Sequence, residues 1–310
     1  MLPRLPLLLP RPRPPTKHPY QFLLGWGACL RHPYTTTTTT TSPGTMALQI
    51  AANLTTMFPE RGPLFNRYAA AKAAGFKAVE VSLPYSETTQ RLAAELARNG
   101  LKQILINSDP GNIEGGEMGC ACIPGKEATF KDSLDKSISY AKALDVPMIH
   151  IMVGKFDKNH TEEEHARTLE KNLRYAANLL NQEGIVGLIE PKNSITFPGY
   201  FLSDFDTAVG LIFKIDSPNL RLLLDIFHLQ FISGNITRNI ERLMPYTAHV
   251  QVSQPPNRSE PLSPGELDFS YIFQKLKAEG YKGFIGAEYV PSTKKTEESL
   301  EWIKICGLTF

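Results

Sequence analysis

Four polar side chains each follow an apolar stretch of the sequence, at positions where a buried strand would end. They are Glu190, Asp225, Gln251 and Glu288. The clearest case is Glu190, which closes the apolar run 185–189 and is followed by a proline. A short apolar run that ends at a turn signal is typical of a buried parallel strand. Because the carboxyl ends of barrel strands meet at one mouth, these side chains are predicted to converge.

Such a cluster has a clear electrostatic consequence. Three carboxylates that face one another raise each other's pKa and destabilise the fold, because like charges repel. A divalent cation would relieve this repulsion, and oxygen ligands suit Mg²⁺ or Mn²⁺ better than zinc, which prefers nitrogen and sulfur. We therefore predict a divalent metal site formed by Glu190, Asp225, Gln251 and Glu288. The alternative is that all four are unconnected residues of solvated loops.

Charged and imidazole groups near these positions are candidates for substrate binding. His228 follows a predicted ligand by three residues and is expected on a mouth loop, in polar contact with the substrate. Arg258 and Glu260 lie on the loop that leaves Gln251, and Lys192 follows Glu190 by two residues. Arginine binds carboxylates through two parallel hydrogen bonds, so Arg258, supported by His228 or Lys192, predicts an anionic substrate. The alternative is a surface ion pair between Arg258 and Glu260.

Three further polar residues fall on predicted strands. His249 precedes Gln251 by two residues, so both side chains share the inward face of one strand. An inward histidine of this kind is more often a hydrogen-bonded core residue than a ligand, and His249 is interpreted in that way. Glu80 and His150 are candidates for the floor of the pocket.

The elements that position these residues alternate regularly between strand and helix from Met46 onward. Eight strands, each followed by a helix, in about 265 residues predict an α/β fold with a single (β/α)8 barrel, or TIM barrel, over residues 46–310. A doubly wound open sheet is the structural alternative. That fold often has a glycine-rich turn after its first strand, and residues 53–56 have no such turn.

Residues 1–45 have the composition of a non-globular segment, with a proline-rich stretch and a run of threonines. We expect a disordered or non-native N-terminal extension. It contains five basic and no acidic residues, so it could be a mitochondrial presequence, or it could lie upstream of a true start at Met46. We favour the second interpretation and expect a cytoplasmic protein, with a mitochondrial location if the extension is a presequence.

The charge of the remaining chain argues against two classes of partner. The whole sequence has a formal net charge of +2, but without the five basic residues of the extension 28 basic residues face 31 acidic ones, a net charge of −3. A weakly acidic body has no electrostatic reason to bind nucleic acid or an anionic membrane. The four cysteines form no disulfide pattern, which indicates a reducing compartment. The sequence does not fix an oligomeric state.

Short motifs around these residues resemble those of hydroxypyruvate isomerases, in the xylose-isomerase-like barrel superfamily. The matching segments are 82–85, 105–107, 116–119, 189–193, 225–228, 249–252, 264–267 and 288–289, and the resemblance extends from residue 46 to about residue 303. Sugar epimerases of the superfamily usually have histidine where this chain has Gln251. The chain departs from the family at Lys192, where an apolar residue is usual, and in residues 305–310.

The resemblance implies a reaction and roles for the residues above. Hydroxypyruvate, a small 2-oxo-3-hydroxy acid, would interconvert with 2-hydroxy-3-oxopropanoate through an enediol. Glu190 and Glu288 would transfer the proton and bind the metal, and Asp225 and Gln251 would complete the metal shell. Three alternatives stay open: a ketose 3-epimerase or isomerase on the same scaffold, a catalytically idle barrel that acts as a binding protein, and, least favoured, an apurinic endonuclease with a zinc cluster.

Overall fold

Eight parallel strands form a closed barrel in the computed structural model, which describes residues 47–310. The strands are β1 Gln49–Asn53, β2 Ala78–Glu80, β3 Lys102–Asn107, β4 Met148–His150, β5 Val186–Ile189, β6 Leu220–Asp225, β7 Thr247–Val252 and β8 Phe284–Ala287. Each strand pairs with the next one in the sequence, and β8 pairs with β1 through Ile285 and Ile50. This last pairing closes the sheet, so the predicted barrel is confirmed and the open sheet is wrong.

At least one helix follows every strand. The helices are α1 Leu64–Ala73, α2 Thr89–Asn99, α3 Glu127–Leu144, α4 Glu162–Glu183, α5 Phe205–Ile215, α6 Ile226–Ile232, α7 Ile236–Leu243, α8 Phe269–Ala278 and α9 Glu301–Ile305. No helix within residues 47–310 is both long enough and apolar enough to cross a membrane. The predicted N-terminal extension, residues 1–45, lies outside the described residues.

Local signals in the sequence account for the boundaries of α4, the helix that precedes β5 and Glu190. Thr161 accepts a hydrogen bond from the backbone of Glu164, whose side chain accepts one from the backbone of Thr161 in return. This capping box starts α4 because it satisfies backbone donors that the helix cannot pair. Gly184 ends α4 in the left-handed conformation, at φ 67°. Strand β5 therefore starts two residues later, with Glu190 directly after its end.

Two layers of inward-facing side chains fill the barrel. The lower layer is an apolar cluster that includes Ala51, Ala78, Leu188 and Leu223. Successive side chains of a strand point to opposite faces, so the residues two positions further along face inward as well. Those residues are polar and buried: Asn53, Glu80, Glu190 and Asp225. The apolar layer therefore lies beneath a polar layer at the carboxyl end of the barrel.

The segment after β6 differs from the prediction. His228 was expected on a loop, but it lies in α6 and is fully buried. Asp225 is the reason, since its carboxylate accepts a hydrogen bond from the backbone N–H of Phe227 at 2.8 Å and caps the helix where the strand ends. After β8, a 3₁₀ turn at Thr296–Ser299 precedes the short helix α9.

Candidate active site

The four predicted ligand side chains lie around one mouth at the carboxyl end of the barrel. Asp225 and Gln251 are direct neighbours across β6 and β7. Arg258 Nη2 lies 2.5 Å from Glu288 Oε2 and 3.3 Å from Asp225 Oδ2, so it links these two acids. Oxygen atoms of Glu190 and Asp225 lie within 4.8 Å of each other. The closure of the barrel therefore brings together residues that are far apart in the sequence.

Glu190 is almost fully buried, and its two carboxylate oxygens have different environments. Oε2 forms an ion pair with Nζ of Lys192, which is also buried and lies 4.9 Å from the centre of the Phe197 ring. His150 Nε2 lies 3.5 Å from the same oxygen, and burial lowers the pKa of His150 well below its usual value. Oε1 has no hydrogen-bond partner among residues 47–310. Glu190 therefore presents one unpaired oxygen to the mouth.

His228 has a defined tautomer. Its Nδ1 accepts hydrogen bonds from the backbone N–H of Asn193 at 3.1 Å and from the side-chain amide of Asn193 at 2.7 Å. That amide has one orientation, because its oxygen accepts from the backbone N–H groups of Ile195 and Thr196. Burial lowers the pKa of His228 well below its usual value, and the charges of Lys192 and Arg258 lower it further. The ring is therefore neutral and carries its proton on Nε2.

The Nε2–H group of His228 points between two acids without bonding to either. It lies 3.6 Å from Glu190 Oε1 and 3.7 Å from Asp225 Oδ2, which is too far for a hydrogen bond. Nε2 is buried and has no other partner within residues 47–310. A buried donor and a buried acceptor thus face each other across a gap, and each lacks a partner.

The surroundings of Asp225 strongly favour its protonated form. Burial raises the pKa of its carboxyl to about 7, and the nearby charges of Glu190 and Glu288 act in the same direction, whereas Arg258 opposes them. Oδ1 caps α6, and Oδ2 faces Arg258 and His228. One positive side chain therefore does not fully compensate the negative charge gathered at this point of the mouth.

The guanidinium of Arg258 forms ion pairs with Glu288 and Asp225 at the mouth and not with a residue on the surface. Burial alone would lower the pKa of its guanidinium, but Glu288 and Asp225 hold that pKa above its usual value. The guanidinium also lies 4.9 Å from the centre of the Phe227 ring. The backbone of Arg258 has a φ of 55°, in the left-handed region that non-glycine residues rarely adopt and that often marks functional positions.

Glu260 does not pair with Arg258, so the alternative of a surface ion pair between them is wrong. Its carboxylate accepts hydrogen bonds from the backbone N–H of Ser292, at 2.9 Å, and from the hydroxyl of the same residue. These bonds tie the loop after β7 to the loop after β8. A contact between Glu260 and the substrate stays a prediction, and the structure gives its oxygens another partner.

The floor of the mouth contains a polar network that the sequence indicated only in part. His249 is buried and hydrogen-bonded to Glu80, as its interpretation as a core residue requires. Asn53 and Asn193 were not predicted. Asn53 is the last residue of β1, so the strand-end rule applied to the first strand would have found it. Asn193 lies on a loop, and nothing in its spacing indicates that it would contact His228.

The residues of the mouth have the properties of a cation site. A buried carboxylate oxygen without a donor, such as Oε1 of Glu190, is unfavourable unless something positive binds it. Oxygen atoms of Glu190, Asp225, Glu288 and Gln251 are the ligand type of a hard divalent ion. His228 lies close enough to join them, but the proton on its Nε2 occupies the electron pair that a metal ligand needs. The fit is therefore to an all-oxygen set.

Comparison with known sequences gives a consistent family. The sequence model of the "Xylose isomerase-like TIM barrel" family matches residues 68–306. A human protein named "Putative hydroxypyruvate isomerase" is 47% identical over 262 residues, which cover 83% of this chain and 94% of that protein. A Haemophilus influenzae protein named "2-oxo-tetronate isomerase" is 39% identical over 257 residues, which cover 83% of this chain and 98% of that protein.

Solved structures agree on the architecture. A crystal structure from Brucella melitensis, described as an AP endonuclease of family 2, has a TM-score of 0.80 and 40% identity over 83% of this chain and 98% of its own. The 3-keto-D-glucoside 4-epimerase YcjR of E. coli has a TM-score of 0.69 at 18% identity, over 84% of this chain and 100% of its own, which supports the fold alone. This chain belongs to the xylose isomerase-like TIM barrel family, among relatives named as hydroxypyruvate and 2-oxo-tetronate isomerases.

Proposed function

We propose that this protein is a metal-dependent isomerase that interconverts hydroxypyruvate and 2-hydroxy-3-oxopropanoate. One observation carries the proposal. Glu190 Oε1 and His228 Nε2, a buried acceptor and a buried donor, face each other 3.6 Å apart, and each lacks a partner within residues 47–310. Isomerisation through an enediol needs such a pair, a base for a carbon-bound proton and a donor for an oxygen atom.

The reaction moves one proton between adjacent carbons and another between their oxygens. In the proposed roles, one of Glu190 and Glu288 removes a proton from C3 of hydroxypyruvate, and the C3–H electron pair becomes the double bond of an enediolate. Protonation at C2 and loss of the hydroxyl proton at C3 then produce the aldehyde. A divalent ion, Mg²⁺ or Mn²⁺, held by Glu190, Asp225, Gln251 and Glu288 would supply positive charge to an enediolate oxygen.

His228 supports the same chemistry from its fixed tautomer. The two hydrogen bonds from Asn193 keep Nδ1 an acceptor, so Nε2–H can only donate. The pKa of the ring is well below its usual value, which keeps His228 neutral at physiological pH. We infer that His228 holds a substrate oxygen by a hydrogen bond and is not a metal ligand.

The charge balance of the mouth favours a substrate with one negative charge. Glu190, Asp225 and Glu288 face two cationic side chains, Lys192 and Arg258, and a divalent ion would bring the net charge of the group to +1. In residues 47–310, Arg258 contacts the acids through Nη2, which leaves the N–H groups of Nη1 and Nε to donate single hydrogen bonds to a carboxylate. We infer that Arg258, supported by Lys192, binds the substrate's carboxylate.

Two other activities fit the family less well. A ketose 3-epimerase would use the same acids, but an uncharged sugar would not compensate the net charge of +1 that these side chains have with a divalent ion. An endonuclease, the activity in the description of the Brucella protein, must bind a polyanion, whereas residues 46–310 have a net charge of −3. We therefore place a small 2-oxo acid first.

The decisive experiment compares substrates and metals on the purified full-length protein. Hydroxypyruvate, 2-oxo-tetronate and uncharged ketoses are each incubated with the protein after chelation and again after addition of Mg²⁺ or Mn²⁺, and the products are followed by NMR. We expect metal-dependent exchange of the C3 protons of hydroxypyruvate and formation of the aldehyde. Turnover of uncharged ketoses without turnover of either acid would replace the proposal with the epimerase alternative.

A further inference from the structure

Glu80 is a fully buried carboxylate beneath the mouth, and it does not belong to the proposed metal shell. It lies at the end of β2 and accepts three hydrogen bonds. His249 Nε2 lies 2.5 Å from Oε1, and Gln251 Nε2 and Asn53 Nδ2 lie 2.7 and 3.2 Å from Oε2. Glu80 therefore holds together side chains from β1 and β7.

The identity of the donor atoms in this network is well determined. Asn53 Oδ1 accepts a hydrogen bond from the backbone N–H of Thr55 at 3.0 Å, so the NH₂ group of Asn53 must face Glu80. A carboxylate accepts hydrogen bonds and offers no donor. Gln251 can therefore bond to Glu80 through its NH₂ group and not through its carbonyl oxygen.

This orientation decides which atom of Gln251 is available to a cation. Nε2 is engaged by Glu80, and Oε1 has no hydrogen-bond partner within residues 47–310. Gln251 also lies beside Asp225 in the sheet register. An amide binds a metal through its oxygen, so a reversed amide would present an NH₂ group and repel the ion. The amide is correctly oriented for a ligand only while Glu80 holds its other end.

Strand β8 has no side chain where Glu80 lies. Gly286 is the direct neighbour of Gln251 in the barrel, and a Cβ atom at Gly286 would lie 2.2 Å from Glu80 Oε1. Since that distance is far below any normal contact, a side chain at this position would displace the carboxylate. The space that Glu80 occupies therefore depends on glycine at position 286.

We propose that Glu80 is a positioning residue that fixes the amide of Gln251 so that its oxygen faces the metal. The inference rests on the proposed metal site. Outer groups of this kind commonly change metal affinity by about 10–100-fold when they are altered, although they do not touch the ion. Glu80→Met is the informative variant, because it keeps the approximate length of the side chain but removes both oxygens, so nothing fixes the orientation of the Gln251 amide.

The test is a double-mutant cycle read out by Mn²⁺ affinity, measured by electron paramagnetic resonance on the full-length protein. The four proteins are the wild type, Glu80→Met, Gln251→Met and the double variant. We expect Glu80→Met to weaken Mn²⁺ binding about 10-fold or more in the wild-type background. In the Gln251→Met background, which has no amide to orient, the same change should alter affinity by less than about 2-fold.

The cycle and one control variant separate positioning by Glu80 from an effect of its charge alone and from a general loss of stability. If Glu80 acted only by its negative charge, Glu80→Met would weaken Mn²⁺ binding equally in both backgrounds, and the proposal would be wrong. Tyr68→Phe is the matched control, because it removes another buried hydrogen bond of the barrel, to Gln103, away from the mouth. It should lower the melting temperature and leave Mn²⁺ affinity unchanged. Failure of the wild type to bind Mn²⁺ would instead refute the proposed metal site itself.

Discussion

Arg258 provides the most direct test of the electrostatics of the mouth. Its Nη2 lies 2.5 Å from Glu288 Oε2 and 3.3 Å from Asp225 Oδ2, so it compensates two of the acids that we assign to the metal. Arg258→Met keeps much of the apolar stem and removes the charge. In protein freed of metal by a chelator, the variant should therefore be less stable than the wild type, because the acids lose their positive partner.

The size of the effect follows from burial. Removal of one partner from a fully buried ion pair costs about 3–5 kcal/mol. The side chains of Arg258 and Glu288 are 19% and 17% exposed, so solvent screens part of their interaction. We therefore expect the free energy of unfolding to fall by about 2–3 kcal/mol. In a domain of this size about 1 kcal/mol corresponds to roughly 2–4 °C, so the melting temperature should fall by about 4–12 °C.

The assay is thermal unfolding of wild type and variant, with chelator and with saturating Mn²⁺. A bound divalent ion compensates the same acids. The difference in melting temperature between the two proteins should therefore be less than half as large with Mn²⁺ as with chelator. The Mn²⁺-induced rise in melting temperature should accordingly be larger in the variant. Arg174→Met is the control, because Arg174 pairs with Glu170 on an exposed face of α4, where such pairs contribute at most about 1 kcal/mol.

Two outcomes would refute this reasoning. If the destabilisation by Arg258→Met were the same with and without Mn²⁺, Arg258 and the ion would not compensate the same charges. If the variant were as stable as the wild type in chelator, the contacts with Glu288 and Asp225 would contribute nothing. Kinetics add an independent test of substrate binding, since loss of the carboxylate contact should raise the KM for hydroxypyruvate and reduce the preference for it over uncharged ketoses.

Three further predictions follow from the same structure. The pKa of Asp225 is about 7 in the folded protein and near 3.8 in the unfolded chain, so the folded state binds an extra proton between these values. In chelator, the contribution of Asp225 to the free energy of unfolding should therefore fall as pH rises from about 4 to 7, whereas the affinity for Mn²⁺ should rise. Asp225→Asn should reduce both pH dependences. The assignment would be contradicted if the effect of Asp225 on stability in chelator rose with pH, or if Mn²⁺ affinity fell with pH over the same range. Glu190→Gln and Glu288→Gln should each lower kcat by about 10²–10⁴-fold with an unchanged circular dichroism spectrum, and turnover close to that of wild type with metal bound would reject their roles as proton carriers. We propose that residues 1–45 contribute nothing to the barrel, so full-length protein and residues 46–310 should melt at the same temperature, and a drop of many degrees on truncation would disprove this.

The sequence by itself determined the architecture and the positions of the acids. Alternation of apolar strands with capped amphipathic helices is a local property, because each element forms its own backbone hydrogen bonds and buries one stripe or run of side chains. A parallel barrel then places every strand end at one mouth. Glu190, Asp225, Gln251 and Glu288 could therefore be assigned to one site from four separate stretches of sequence.

Only the tertiary structure decided which atoms meet. Glu80 and Gln251 are 171 residues apart, and their hydrogen bond exists because the register of a closed barrel places the ends of β2 and β7 at the same height. The same closure directs Arg258 to two acids and not to Glu260. The amide of Asn193, held by its own loop, sets the proton of His228 on Nε2. Periodicity specifies which face a side chain lies on, but hydrogen bonds depend on distances of a few tenths of an ångström, which packing across the whole barrel determines.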